Sequence, residues 1–270
     1  MLLRTRMALL VALLPAVAPA LTPISQQREV SLAIERETRV CPINFQFPPC
    51  PPGPPSQITI ENFDDAEAAP DLWDWSATAS VPGFASQVSL VSTTSASTLV
   101  AEGSRTGIAP FGGDIDLEAG TLTDILQEHV TSSRYEMSFE LTEVTSYSLE
   151  GTLELYTVFS PYDDASLSLI GPRGQVVASL DLDALRDCEL GELECSLNGS
   201  VSESGVLQPG IYTLAAATNG RADKIYRYGD SDSGSFAVSL ELSPPAVPLL
   251  PPALLPLLGA LLALWPRVRA

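Results

Sequence analysis

The chain has 270 residues, a length that suits one domain with additional segments or at most two small domains. Acidic residues number 33 against 14 basic ones, and the formal net charge is −19. A chain this acidic lacks the basic surplus that neutralises phosphates, which argues against nucleic acid as a partner. One histidine and four cysteines leave little material for a histidine-based metal centre or a zinc cluster.

Residues 1–20 have the pattern of a signal peptide. Arg4 and Arg6 form a basic start, and an apolar stretch follows from Met7 to Leu14. Small residues then precede a cleavage site that we place after Ala20. An N-terminal membrane anchor is the alternative interpretation. The pattern predicts that the chain is exported.

The stretch 21–57 is predicted to be a proline-rich entry segment ahead of the main domain. Its first part alternates charged and small apolar residues, which fits an edge strand as well as a short helix. Prolines then cluster between residues 48 and 55, a composition typical of extended, semi-rigid linkers.

From residue 58 to residue 243 the sequence predicts an all-β domain, an antiparallel β-sandwich similar to a jelly roll. Phe236, Val238 and Leu240 alternate with small or polar residues, the period-two pattern of a strand buried on one face. The predicted strands are 58–63, 87–91, 97–101, 135–141, 149–159, 166–170, 175–182, 199–203, 210–217 and 236–242. The predicted turns are 171–174, 208–210 and 219–220.

One short helix is predicted at Thr121–Val130. Leu122, Ile125 and Val130 would share one face of it, and Thr121 resembles a capping residue. His129 would then lie on the surface, at the end of this helix.

The four cysteines predict two disulfides, since disulfides persist in exported proteins. The simplest pairing is local and joins Cys41 to Cys50 and Cys188 to Cys195, although the sequence leaves other pairings open.

No complete catalytic motif occurs in the chain, and we predict that it is not an enzyme. Gly229-Asp230-Ser231 is similar to the flank of a trypsin-type nucleophile, but Asp232 stands where the oxyanion turn needs glycine. Nothing in the sequence positions His129 as a base for Ser231. An extracellular hydrolase remains the competing interpretation.

Two patterns suggest ligands. Asp230 and Asp232 precede Gly234, an arrangement of carboxylates that favours a weak calcium site, and we expect no other cofactor. Trp73 and Trp75 could stack on sugar rings, although such tryptophans also close one end of a sandwich core. A carbohydrate-binding module is therefore a second alternative.

The segment 244–270 is predicted to direct sorting or to cross the membrane. No charged residue occurs from 246 to 265, which is long enough for a membrane-spanning helix, and Arg267 and Arg269 follow as a basic tail. Prolines interrupt the first third of this segment, which is unusual for a permanent membrane anchor. A plain C-terminal membrane anchor is the alternative.

Together, the signal peptide, the β-rich body and this tail resemble bacterial PEP-CTERM-type sorted proteins. The matching positions are Val247, Pro248, Pro251 and Pro252, followed by Arg267 and Arg269, in a variant similar to the Val-Pro-Leu-Pro-Ala form. The chain departs from that pattern, since no Glu lies between the prolines and the two arginines are not contiguous. Residues 147–153, 207–214 and 233–240 also resemble the bodies of such proteins.

The resemblance implies a processing partner and a location. A membrane exosortase-like enzyme would read the tail, and the protein would reach the cell surface or the extracellular matrix, with 246–265 in the membrane before processing. We therefore expect a noncatalytic structural or adhesive protein, with extracellular polysaccharide or other matrix material as a partner.

Overall fold

The structure, a computed structural model, describes residues 21–42, 57–68, 74–80, 84–109, 112–118, 121–158, 162–188, 194–223 and 230–245. The predicted signal peptide and the predicted sorting residues from Val247 to Arg269 lie outside these ranges. Within them, no helix has the length and apolar character that crossing a membrane requires.

Thirteen strands in the described ranges form two antiparallel sheets. They are β1 (Thr22–Pro42), β2 (Gln57–Ala68), β3 (Trp75–Ser80), β4 (Gln87–Thr94), β5 (Thr98–Ala109), β6 (Gly112–Asp116), β7 (Thr121–Leu141), β8 (Thr145–Val158), β9 (Asp164–Ile170), β10 (Val176–Asp183), β11 (Glu194–Leu207), β12 (Gly210–Asp223) and β13 (Asp230–Ser243). The first sheet has the order β10-β9-β12-β7-β1-β2, with β6 paired to β7, and the second has the order β11-β8-β13-β5-β4-β3.

The two sheets pack face to face around one apolar core. Alternate residues of each strand point inward, so that Leu32, Phe139 and Leu214 of the first sheet meet Leu90, Leu153 and Phe236 of the second. The connections β8–β9, β10–β11 and β12–β13 each pass from one sheet to the other. The all-β sandwich predicted from the sequence is therefore confirmed, and each strand predicted there lies within or overlaps an observed strand.

The sandwich includes more of the chain than the sequence analysis assigned to it. Thr22–Pro42, which we placed in an entry segment, is strand β1 and lies inside the first sheet between β2 and β7. Val30, Leu32 and Ile34 of β1 are buried in the core. The folded domain thus includes residues before 58, because the inward-facing apolar row of β1 packs between sheet partners.

The predicted helix at Thr121–Val130 is wrong, because this stretch is the first half of strand β7. It pairs with β1 in continuous register from Pro42↔Thr121 to Ala33↔Val130. The long strand β1 supplies backbone partners along this whole length, and such tertiary pairing overrides a local helical pattern. The helix in the described residues is instead the short α1 (Ala184–Asp187), capped by the Asp183 side chain.

One of the two predicted disulfides is present. Cys188 and Cys195 are bonded, with their Cα atoms 5.9 Å apart, and the bond joins the end of α1 to the start of β11. Cys50 lies outside the described residues, so the bridge between Cys41 and Cys50 stays a prediction. Of the three predicted turns, 171–174 and 208–210 separate strands, whereas Asn219-Gly220 lies within β12.

Gly103 provides a test of how tightly the two sheets pack. It faces inward on β5, directly opposite Phe236 in the register, and a Cβ atom at this position would collide with the Phe236 ring and the Ser133 hydroxyl. We expect Gly103→Ala to lower the free energy of unfolding by about 1–3 kcal/mol, as overpacked cores do. Urea unfolding monitored by circular dichroism measures this change.

The matched control is Glu102→Ala, one residue away on the exposed face of the same strand. It should change stability by less than about 0.5 kcal/mol. Equal effects of the two substitutions would contradict the described packing.

Candidate functional site

A buried arginine links the two sheets at one end of the sandwich. Arg105 points inward from β5, and its side chain is 0% exposed. Its guanidinium pairs with Asp232 of β13, in the same sheet, and with Asp163, which precedes β9 of the other sheet. The Nη2 atom lies 3.3 Å from Asp163 Oδ1, and Nε donates to Thr218 Oγ1 of β12 at 3.0 Å. We call Arg105, Asp163, Thr218 and Asp232 the arginine cluster.

Glycines leave the space that this cluster occupies. A Cβ atom at Gly220 would collide with the Arg105 guanidinium, and one at Gly107 would collide with the Asp232 carboxylate. A Cβ atom at Gly234 would collide with the Thr218 hydroxyl. These glycines lie inside strands, where glycine usually marks a close approach of other atoms.

Burial shifts the pKa values of Arg105 and Asp163 in opposite directions. Desolvation lowers the pKa of Arg105 and raises the pKa of Asp163, and in each case the opposite charge of the other residue works against the shift. Since a guanidinium stays protonated in proteins, the cluster holds a permanent cation between two buried carboxyl groups. Removing one partner from such an arrangement leaves a buried charge without compensation.

The two residues of the predicted calcium site lie at or next to the arginine cluster. Asp230 and Asp232 both face inward from β13 and are buried, and Asp232 is paired with Arg105. Within the described ranges, no three His, Cys, Asp or Glu side chains are grouped so that they could hold a metal ion. The Arg105 guanidinium lies next to Asp232, and calcium binding by Asp230 and Asp232 stays an untested prediction.

His129 is not the surface residue that the sequence predicted. It lies on β7, is completely buried, and makes an edge-to-face contact with Phe84 at 5.7 Å between ring centres. Its Nδ1 atom contacts the Ser86 hydroxyl, which accepts a hydrogen bond from the Ile108 amide at 2.9 Å. Its Nε2 atom lies 3.1 Å from Gln127 Oε1. Burial alone lowers the pKa of His129 to about 4, so the ring is neutral near pH 7.

The structure does not bring Ser231 to His129. Ser231 alternates on β13 with the inward-facing Asp230 and Asp232, so its side chain points to the outer face of the second sheet. His129 points inward from the first sheet. Its neighbour Ser86 lies between the sheets and is likewise buried, so solvent does not reach this serine–histidine pair.

Trp75 packs against the core, as one of its two predicted roles requires, and its contact with sugar rings stays an untested prediction. It begins β3, packs against the core, and has the Arg28 guanidinium carbon 5.1 Å from its ring centre. Arg28 is completely buried on β1, so this cation–π contact joins the two sheets on a different pair of strands from the arginine cluster. Trp73 lies outside the described residues.

A concave groove of about 900 Å³ crosses the outer face of the second sheet. We call it the serine groove, and strands β11, β8, β13 and β5 form it. Its outward-facing residues include Ser104, Glu154, Tyr156, Asn198, Ser233 and Ser235. The sequence analysis did not predict this groove, although serine alternation at 231, 233 and 235 was its visible signal.

The strand register arranges these side chains in rows across the groove. Asn198, Glu154, Ser235 and Ser104 lie opposite one another on four successive strands. The row continues to Ser89 on β4, whose Oγ atom lies 2.8 Å from Ser104 Oγ. Neighbouring strands are about 4.8 Å apart, so the row offers polar groups at regular intervals.

We expect Arg105→Met to lower the free energy of unfolding by about 3–5 kcal/mol, because it leaves the two carboxyl groups buried without their cation. Arg186→Met is the matched control. Arg186 pairs with Asp181 and Asp187 on the surface and is half exposed, so its loss should change stability by less than about 1 kcal/mol. Chemical denaturation of the three proteins measures both changes.

A further variant separates loss of charge balance from loss of packing. Combining Arg105→Met with Asp163→Asn and Asp232→Asn should recover part of the lost stability, since the carboxyl charges are then gone. Stability lower than that of Arg105→Met alone would contradict an electrostatic role for the cluster.

His129 should make the fold sensitive to mild acid. The pKa of His129 is lowered from 6.5 to about 4 in the folded protein. Between these pH values the imidazole is protonated in the unfolded chain and neutral in the folded chain. The contribution of His129 to the free energy of unfolding is therefore complete above pH 6.5. It falls by up to about 3 kcal/mol as the pH falls towards 4. His129→Gln should remove this component of the pH dependence.

The measurement is the free energy of unfolding of both proteins between pH 7.5 and pH 4.5. The carboxyl groups titrate in both, so the difference between the two curves isolates the imidazole of this one histidine. Parallel curves would show that His129 is accessible to protons in the folded state.

Comparisons with known proteins give no family for this chain. No protein-family model and no curated protein matches it. Among solved structures, it is similar to the infectious bursal disease virus Gx strain structure, with 13% sequence identity and a TM-score of 0.24, covering 86% of this chain and 58% of that chain. For the VP2 subviral particle of the same virus the identity is 13% and the TM-score is 0.25, covering 86% of this chain and 59% of that chain. The chain thus spans less than two thirds of each of these proteins, and likeness of this degree carries no functional assignment.

Proposed function

We propose that this is a noncatalytic exported protein of the cell surface or extracellular matrix, where its β-sandwich has a structural or adhesive role. The observation that carries the proposal is the Cys188–Cys195 disulfide, in a chain whose first 20 residues have the pattern of a signal peptide. Disulfides form and persist outside the reducing cytosol. The sequence and the structure therefore favour the same compartment through independent features.

The interior of the sandwich supports a structural role. The arginine cluster and the contact of Arg28 with Trp75 each join one sheet to the other through buried charged side chains. His129 and Ser86 contact each other inside the protein, buried from solvent. These contacts tie the two sheets together through ion pairs and a cation–π interaction.

The tail completes the proposal. An exosortase-like enzyme would recognise Val247, Pro248, Pro251 and Pro252 while the apolar stretch is in the membrane, with Arg267 and Arg269 on the cytoplasmic side. Processing there would release the sandwich to the surface or matrix. Calcium and the carbohydrate contact of Trp73 and Trp75 are not required for this role.

Intact mass and fractionation of the protein from its own host test this proposal. We expect the mature chain to begin at Leu21, to lack the segment that follows Val247, and to be recovered from the medium or matrix. The mass should also show Cys188 and Cys195 without free thiols. Recovery from the cytosol with reduced cysteines would overturn the proposal.

A pair of variants tests the role of the tail. Val247→Ala combined with Pro248→Ala should leave the unprocessed chain in the membrane fraction, whereas Leu250→Ala, in the same tail, should be processed normally. If the unaltered protein already retains its tail through Ala270 and stays in membranes, the segment is a plain anchor and sorting by cleavage is wrong.

A further inference from the structure

The serine groove is suited to a ligand because it is concave and rich in groups that form hydrogen bonds. Ser104, Ser233 and Ser235 contribute hydroxyls that both donate and accept, Asn198 contributes an amide, and Glu154 contributes a carboxylate. The side chains are short, so few rotamers are lost when a ligand orders them. A groove of this composition can bind a molecule that is itself rich in hydroxyl groups.

The charges of this face exclude several other ligands. On β5, β8, β11 and β13 the outward positions carry no lysine or arginine, and Arg105 points into the core with its side chain fully buried. Glu102, Glu150 and Glu194 add negative charge around the groove. An anionic polymer would therefore be repelled, and nucleic acid is excluded on the same ground. The scarcity of apolar side chains argues against a lipid or an amphipathic peptide.

Tyr156 adds the one aromatic surface among the groove's outward-facing residues. Its side chain is 37% exposed, and it lies on the outer face of β8, between Ser196 of β11 and Ser233 of β13 in the register. An exposed tyrosine ring offers an apolar face for a sugar ring, and its hydroxyl remains free to form hydrogen bonds. The row containing Tyr156 runs parallel to the row containing Glu154, so stacking and hydrogen bonding lie side by side.

We propose that the serine groove binds a chain of a neutral polysaccharide, which lies across strands β11, β8, β13 and β5. Asn198, Glu154, Ser235 and Ser104 form hydrogen bonds to its hydroxyl groups, and Tyr156 packs against one sugar ring. This site differs from the one suggested by the tryptophans, since Trp75 is engaged with Arg28 at the other end of the sheet order. The inference rests on the proposed function and names the matrix material that the sandwich contacts.

Affinity electrophoresis of the mature protein tests the proposal. The native gels contain hydroxyethylcellulose, laminarin, dextran or galactomannan as neutral polymers, and alginate as the anionic polymer. We expect at least one neutral polymer to retard the protein and alginate to leave its mobility unchanged. Absence of retardation by all four neutral polymers, or equal retardation by alginate, overturns the proposal.

Two substitutions on one strand localise the binding. Ser235→Trp fills the groove and should weaken association with the retarding polymer by at least tenfold. Ser239→Trp lies four residues further along β13 on the same outward face, outside the groove, and should bind as the unaltered protein does. Tyr156→Ala should weaken binding by about twofold to tenfold, the range expected for loss of an aromatic contact. Equal binding by all variants overturns the proposed site.

Two further controls complete the experiment. Melting curves of each variant establish that it is folded, and Tyr156→Ala keeps the test valid if Ser235→Trp fails to fold. Sedimentation that shows a dimer dissociated by Ser235→Trp, without polymer binding, would make the groove an interface between copies and overturn the proposal. A protein found at the surface that binds no neutral polymer contradicts only the groove, whereas a cytosolic protein contradicts the proposed function.

Discussion

The pairing of Arg105 with Asp163 and Asp232 is the constraint on which one end of the sandwich depends. The Arg105 guanidinium is buried between the two sheets, where carboxylates on both sides balance its charge, and it must also have space. The carboxylates come from different sheets, and inward-facing glycines such as Gly220 leave the space. The cluster therefore selects one relative position of the two sheets, which apolar packing alone specifies less sharply.

The same requirement explains why strands β5, β12 and β13 carry unusual inward-facing residues near the arginine cluster. Most inward positions hold Leu, Val, Phe or Ala, but near the cluster they hold arginine, aspartate, threonine or glycine. The outer face of the second sheet meets a different requirement, because its small polar side chains are accessible and free of a packing role. The interior thus determines the arrangement of the sheets, while the serine groove on the outside is available for contacts.

Particular elements show how far the sequence predicts this structure. Alternation in Phe236–Leu242 and Tyr135–Leu141 identified strands correctly, because period-two burial is a local property of the chain. Thr121–Val130 was misassigned because its apolar spacing also fits a helix, and only its partner β1 decides the outcome. His129 was misplaced for the same reason. Gly220 was assigned to a turn. Its lack of a side chain leaves space for Arg105, which lies over one hundred residues earlier in the sequence, so the sequence alone did not show this role.

The sequence by itself determined the class of fold and most of the strands, because alternation acts between near neighbours. It favoured the pairing of Cys188 with Cys195 through their short spacing, and the structure contains this bond. The sequence also contains every residue of the arginine cluster, but it does not show that they meet. Asp230 and Asp232 were predicted to be calcium ligands, which stays untested, and the fold places Arg105 beside Asp232. Only the tertiary structure decided this, and it also assembled the serine groove from four strands. Both arise from strand register and sheet stacking between distant segments, which local patterns do not specify.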